Sequence, residues 1–229
     1  NKLGEWAQTG SFATNTEYGL VFGKKSSSIG TEYDGALDEI RMYNRSLSSD
    51  EVTQLYRLTS PTNVDTSLKG YWAFNGQDLS GTTASDRSGT GNNFTLTGSP
   101  TATEGLVGQA LSFSGSNYAS VTPSGTGYGY GTSDFSVSVW AKTSGYVNRG
   151  SAINVMIGRS TEGSAGYWYG IAFTSSHKPY FSVGNGTATS GAMAINDDTW
   201  HHFTGIRRGS VVELWIDGVK TTDGSTTDD

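Results

Sequence analysis

A carboxylate inside an apolar strand is the sharpest chemical signal in this chain. In residues 36–43, period-2 alternation puts Ala36, Asp38, Ile40 and Met42 on one face and Glu39, Arg41 and Tyr43 on the other. Asp38 is therefore expected to point inward beside Ile40 and Met42. Desolvating an unpaired charge is costly, so Asp38 needs a partner. One reading is a hard cation such as calcium, which takes carboxylate, amide and backbone carbonyl oxygens. The other is a partly exposed strand end where backbone groups bond the carboxylate. His201 and His202 follow Trp200. Strand neighbours point to opposite faces, so the pair cannot easily chelate one ion, and packing is the expected role. Tyr128 and Tyr130 lie in a Gly-rich loop, and Trp168 lies in the strand-like run YWYGIAF. Exposed rings there would stack on sugars, with Asn154 and Arg159 fixing hydroxyls. The alternative is that these rings cover the core or its rim.

Other chemistry finds little support. Glycoside hydrolysis needs two carboxylates at a defined separation, and Asp217 of WIDG sits where Asp-Gly serves a hairpin turn. The chain has no Cys, no G-x-S-x-G and no phosphate-binding loop. The segment Asp86–Asn93 is acidic and Gly-rich but lacks the alternating acidic ligands and final Glu of an EF-hand. It reads as a set of turns. Asn44, Asn93 and Asn185 each open a glycosylation sequon, which matters only in a secreted, glycosylating context. A net charge of −6 argues against nucleic acid or an anionic membrane as the main partner. No signal peptide or long apolar run is visible, so membrane insertion is not expected. A start at Asn1 is expected of a mature or excised piece.

The elements that would position these residues are strands. With 229 residues, 32 Gly, 12% aromatics and only 4 Pro, the composition suits short strands and tight turns better than helices. Strands are expected near Leu3–Gln8, Tyr18–Gly23 and Ala36–Tyr43. Ser48 and Glu51 form a capping-box pair that opens a helix near 48–58, with Val52, Leu55 and Tyr56 as its apolar stripe. Residues 59–69, with Pro61 and Asn63, read as a linker. After Gly70 come GYWAFNG, FTLTG and GQALSFSGSNYASV. In FSVSVWAK, Phe135, Val137, Val139 and Ala141 alternate with Ser136, Ser138, Trp140 and Lys142, a half-buried strand. One hairpin is expected around 174–179. A second joins TWHHFTGIRR to SVVELWIDG, with Val212, Leu214 and Ile216 on one face. This pattern indicates an all-β sandwich or jelly roll.

The run LDEIRMYNRSLSSDEVTQLY resembles the closing strand and helix of laminin-G-like, concanavalin A-like lectin-glucanase jelly-roll domains. WAFNG, Asp86–Asn92, Gly108–Tyr118, FSVSVWAK, WHHF and LWIDGV resemble the same family from its beginning. Residues 1–58 thus resemble the family's C-terminal part, placed before its N-terminal part at 71–229. The resemblance implies a two-sheet antiparallel jelly-roll sandwich with one short helix near 48–58. Residues 1–58 would complete the sandwich of the same chain or of a neighbour, and an array fragment is a third reading. Exchange between neighbours answers the exposed edges of an unfinished sandwich and, where it does not close, builds a filament. Self-closure needs the linker to span the family's two termini, at on the order of 3.3 Å per residue.

The resemblance also implies a structural calcium held by Asp38, the Asn75 side chain and the Gly115 carbonyl, and it makes W-H-H a structural strand signature. The E-x-D-x-x-E run of related jelly-roll hydrolases is absent. The expected protein is therefore a non-catalytic, secreted or cell-surface structural or adhesion module. Its partners would be copies of itself, head to tail, or glycans and cell-surface proteins. A carbohydrate-binding module of a larger adhesin or glycoside hydrolase is the alternative.

Overall fold

The computed structural model describes residues 19–24, 32–57, 65–121, 128–144, 153–159, 169–184, 189–190, 194–221 and 224–225. The expected strand at Leu3–Gln8, like Trp168, lies outside the described residues. In chain order the first elements are strands β1 (Leu20–Phe22) and β2 (Asp34–Tyr43), then helix α1 (Ser49–Tyr56). Next come β3 (Leu68–Trp72), β4 (Leu79–Ser80), β5 (Thr83–Ala84) and β6 (Phe94–Thr97). They are followed by β7 (Thr101–Glu104), β8 (Gln109–Ser114), β9 (Tyr118–Val121) and β10 (Phe135–Lys142). Then come β11 (Ile153–Arg159), β12 (Tyr169–Thr174), β13 (Pro179–Val183) and β14 (Thr189–Ser190). The last are β15 (Trp200–Arg208), β16 (Val211–Ile216), β17 (Val219–Lys220) and β18 (Gly224–Ser225). Leu68 and Lys69, expected in the linker, already belong to β3.

These strands form two antiparallel sheets. One runs β14-β13-β12-β11-β1-β9-β6-β5-β4, and the other runs β17-β16-β15-β10-β2-β8-β7, with β18 on β16 and β3 on β2. β1 lies between β9 and β11. β2 pairs with β10 along one edge. Its other edge is shared: β8 covers Asp34–Leu37 and β3 covers Ile40–Tyr43. Both early strands are thus interior, one in each sheet.

The face-to-face core is built largely from aromatic rings, whose large apolar area and edge contacts dominate its cohesion. Phe22 stacks on Phe94 at 4.0 Å between centroids, and Trp72 meets both rings edge-on. Phe135, Phe181 and Phe203 extend the same cluster. Across the sheets, Gly205 gives the Phe181 ring its room: a Cβ there would stand 2.4 Å from a ring carbon.

Helix α1 begins as the capping box predicts. Ser48 Oγ accepts from Glu51 N, and Ser48 N donates to Glu51 Oε2. Arg45 braces this turn by bonding both Glu51 and Asp65. Val52 and Leu55 pack with Tyr43, Leu47 and Ile206, so the helix lies on the outer face of the second sheet.

The strict alternation expected through residues 36–43 fails at one residue. Glu39 takes a positive φ of 50°, and the β2–β10 register shifts between the Ser138 and Trp140 pairs. A bulge of this kind inserts a residue and turns the strand's faces over. Leu37, Ile40 and Met42 consequently join the core. Asp38 pairs with Trp140 on the opposite, outer face. The expectation that Asp38 shares a face with Ile40 and Met42 is therefore corrected.

Candidate functional site

Asp38 is fully buried on that outer face because a turn covers it. Its Oδ1 accepts from Glu39 N at 2.7 Å, and its Oδ2 accepts from Leu106 N at 3.0 Å and Val107 N at 3.3 Å. Asn75 holds the other end of the same turn: its Oδ1 accepts from Gln109 N at 3.0 Å. Two glycines permit this approach. A Cβ on Gly105 would come within 2.7 Å of Asp38 Oδ2, and one on Gly108 within 2.0 Å of Asn75 Oδ1. The clasp leaves Leu106 and Val107 displayed to solvent. Burial pushes the Asp38 pKa up to about 7, against the N–H groups of Val107, Glu39 and Leu106 that favour the charged form. Gly108 also has φ +71°. Gly108→Ala is expected to cost about 1–3 kcal/mol in chemical denaturation, by strain and collision together. An unchanged midpoint would mean the turn is not held by Asn75.

The chain thus brings Asp38 and Asn75 together but not Gly115, which follows β8 at its far end. Leu37 faces Leu111 in the β2–β8 register, so Gly115 lies on the order of 15 Å along the strand from the clasp. Calcium takes 6–8 oxygen ligands. Here both side-chain oxygen donors face backbone N–H groups, whose hydrogens occupy the directions a cation would need. Among the described residues no group of three or more His, Asp or Glu is placed to hold a metal. The residues present do not fit a calcium site in this arrangement. Millimolar calcium is expected to leave the melting midpoint unchanged. A rise that a chelator reverses would show the turn rearranging to offer oxygens.

The residues suggested for sugar contact are mostly built into the interior. Tyr128 is 1% exposed. Its ring meets Trp72 edge-on, and its hydroxyl donates to the Lys69 carbonyl at 3.2 Å. Tyr130 stacks on Phe135 at 5.0 Å between centroids and packs against the core. Asn154 and Arg159 are each 2% exposed. Tyr128, Asn154 and Arg159 thus offer neither an open ring nor an exposed polar anchor, and Tyr130 stays partly exposed. Tyr169, beside Trp168 in sequence, donates to the Tyr128 carbonyl and is buried.

His201 and His202 point to opposite faces. His201 sits at a rim, with Nδ1 2.7 Å from Asp217 Oδ2 and Nε2 3.3 Å from Asp197. Burial opposes its protonation, but Asp217 and Asp197 outweigh that and raise its pKa. Asp217 takes φ 51° in the Asp-Gly turn, as its geometric role requires, and its Oδ1 accepts from His202 N. The acidic loop likewise serves structure: Asp86 accepts from the backbone N–H groups of Tyr71, Ser88 and Asn92.

The outer face of β10 and β15 holds a further polar group, apart from the candidate ligand residues. Ser138 pairs with Thr204, and Trp140 pairs with His202. Tyr56, at the end of α1, stacks on Trp140 at 5.6 Å and lies 6.4 Å from His202. Five buried polar atoms there lack a hydrogen-bond partner: Ser138 Oγ, Thr204 Oγ1, Trp140 Nε1 and both ring nitrogens of His202. Each such group costs roughly 1–3 kcal/mol when left unpaired. Burial first, and the Arg41 charge second, lower the His202 pKa to about 3. Ser-x-Ser-x-Trp on the non-core positions of β10 signals a polar outer face, but not that a helix covers it.

A family model described as the concanavalin A-like lectin/glucanases superfamily, of laminin G type, matches residues 113–229. No curated protein and no solved structure matches the chain.

Proposed function

This chain belongs to the concanavalin A-like lectin/glucanase superfamily, and on that premise we propose that it is a non-catalytic structural or adhesion module whose residues 1–58 complete the sandwich of their own chain. Laminin-G-like domains are generally non-catalytic binding modules and typically extracellular. Among the described residues no helix is long and apolar enough to cross a membrane. The observation that carries the reading is the interior position of β1 and β2, each flanked on both edges by strands from residue 68 onward. Remove them and each sheet has two raw edges, which favour strand addition. With them in place, head-to-tail exchange is not needed to satisfy the backbone.

The module's surface is proposed to engage proteins at the cell surface rather than to stack on sugar rings, because Tyr128, Asn154 and Arg159 are spent on the interior. Beads coated with the chain are expected to adhere to cells and to keep adhering after enzymatic removal of surface glycans. Adhesion lost with the glycans would support the carbohydrate-binding alternative. No adhesion in either case would leave a purely structural role and sink the adhesion reading.

A further inference from the structure

One sheet edge is left open. β7 ends the second sheet, and among the described residues only β8 pairs with it. The strands β4, β14, β17 and β18, which end the other rows, are two residues each, the shortness that normally blunts an edge. The outer side of β3 is closed by the acidic loop. There Tyr71 N donates to Asp86 Oδ1, Arg87 N to the Tyr71 carbonyl and Thr90 Oγ1 to the Lys69 carbonyl. β7 has four residues, all exposed, an unbroken register with β8, and no Lys, Arg or Pro.

Gly105 N donates to the Gly108 carbonyl and closes the β7–β8 hairpin. Bonded and non-bonded pairs alternate along an antiparallel ladder. Thr101 and Thr103 therefore bond to β8, while Ala102 and Glu104 turn their N–H and C=O groups outward. Ala102 lies opposite the buried Leu111, which puts Ala102 and Glu104 on the core-side face. Both are exposed, so the first sheet does not cover this edge. The guard of the edge is Glu104, an inward-facing charge that no described residue pairs. The strand runs directly into the clasped turn, where Leu106 and Val107 stand exposed side by side. Asp38 and Asn75 hold that turn, so it is ordered before any partner arrives.

We propose that the free edge of β7 and the 105–108 turn dock an extended segment of a partner protein by antiparallel strand addition, with a Lys or Arg opposite Glu104 and an apolar side chain against Leu106 and Val107. Backbone bonds to Ala102 and Glu104 supply affinity, and the cation supplies specificity. A second copy brings no Lys or Arg on its own β7, so it leaves Glu104 unmet. The class of partner rests on the protein-binding reading above, but the site is tested without it.

The test uses the whole chain with the end-blocked peptide Leu-Thr-Lys-Thr-Val and its twin carrying Glu in place of Lys. Amide hydrogen exchange at Ala102 and Glu104 is expected to slow roughly threefold when the Lys peptide stands at about twice its Kd. Thr103 should be unchanged, and the Glu peptide should have no effect. No slowing, or equal slowing by both peptides, overturns the proposal. Ala102→Pro removes an outward N–H, at a place where edge strands tolerate proline. It should keep its melting midpoint and lose the peptide. If it does not fold, Glu104→Lys serves, and should reverse the preference to the Glu peptide. Beads coated with Ala102→Pro should fail to adhere to cells that hold wild-type beads, and equal adhesion overturns the proposal. If neither protein adheres, the adhesion reading has failed by itself and the peptide result decides the docking site.

Discussion

Asp38→Ala is expected to lower unfolding stability by about 2–4 kcal/mol, a loss set by the groups it leaves behind. The carboxylate is the acceptor for Glu39 N, Leu106 N and Val107 N. Glu39 is itself buried and held at positive φ, so its N–H has no easy route to water. The two turn amides can rehydrate only if residues 105–108 lift from the sheet. Amide hydrogen exchange at Leu106 and Val107 should accelerate more than exchange at the core strands. Relief of the buried charge keeps the loss below the sum of the three bonds. Unchanged stability with unchanged exchange would show that the turn is held by Asn75 alone.

The second large effect is a pair of opposed pH slopes. Asp38 has a folded pKa raised from 3.8 to about 7. The native state therefore binds more protons than the unfolded chain across that window, and its contribution is present below about 4 and lost as pH rises through 7. His202 has a folded pKa lowered from 6.5 to about 3. Its contribution is present above 6.5 and lost as pH falls through 3. Each window is worth on the order of 4 kcal/mol, so in the native protein the two nearly cancel. His202→Phe should leave a protein that loses stability as pH rises from 4 to 7. Asp38→Asn should leave one that loses stability as pH falls from 6.5 to 3. The Arg45 bond that lowers Glu51 and the raised His201 are common to all three proteins and drop out of the comparison. Parallel profiles for both variants would mean that neither group is held in the charge state described.

The sheets, the capping box of α1 and the two long hairpins were legible because each rests on local pattern: alternation, an N-cap pair, turn residues. The face of Asp38 was not. Period-2 reasoning assumes every residue advances the pleat, and nothing in L-D-E-I announces that Glu39 sits at positive φ and reverses the count. The clasp was half visible: the family resemblance pairs Asp38 with Asn75, but nothing local announces that both accept from the amides of one glycine-flanked turn. Tyr128 misled for a different reason. A Gly-rich neighbourhood reads as exposed loop, whereas the ring itself packs against Trp72. The polar layer under α1 needed three-dimensional knowledge of what covers the Ser138 face.

The central claim is that the early strands complete their own chain. Light scattering after size-exclusion chromatography, over a wide concentration range, tests it most directly. The account predicts a constant mass of 24.2 kDa. A mass that climbs with concentration, or filaments, would contradict it and show that each chain supplies β1 and β2 to its neighbour.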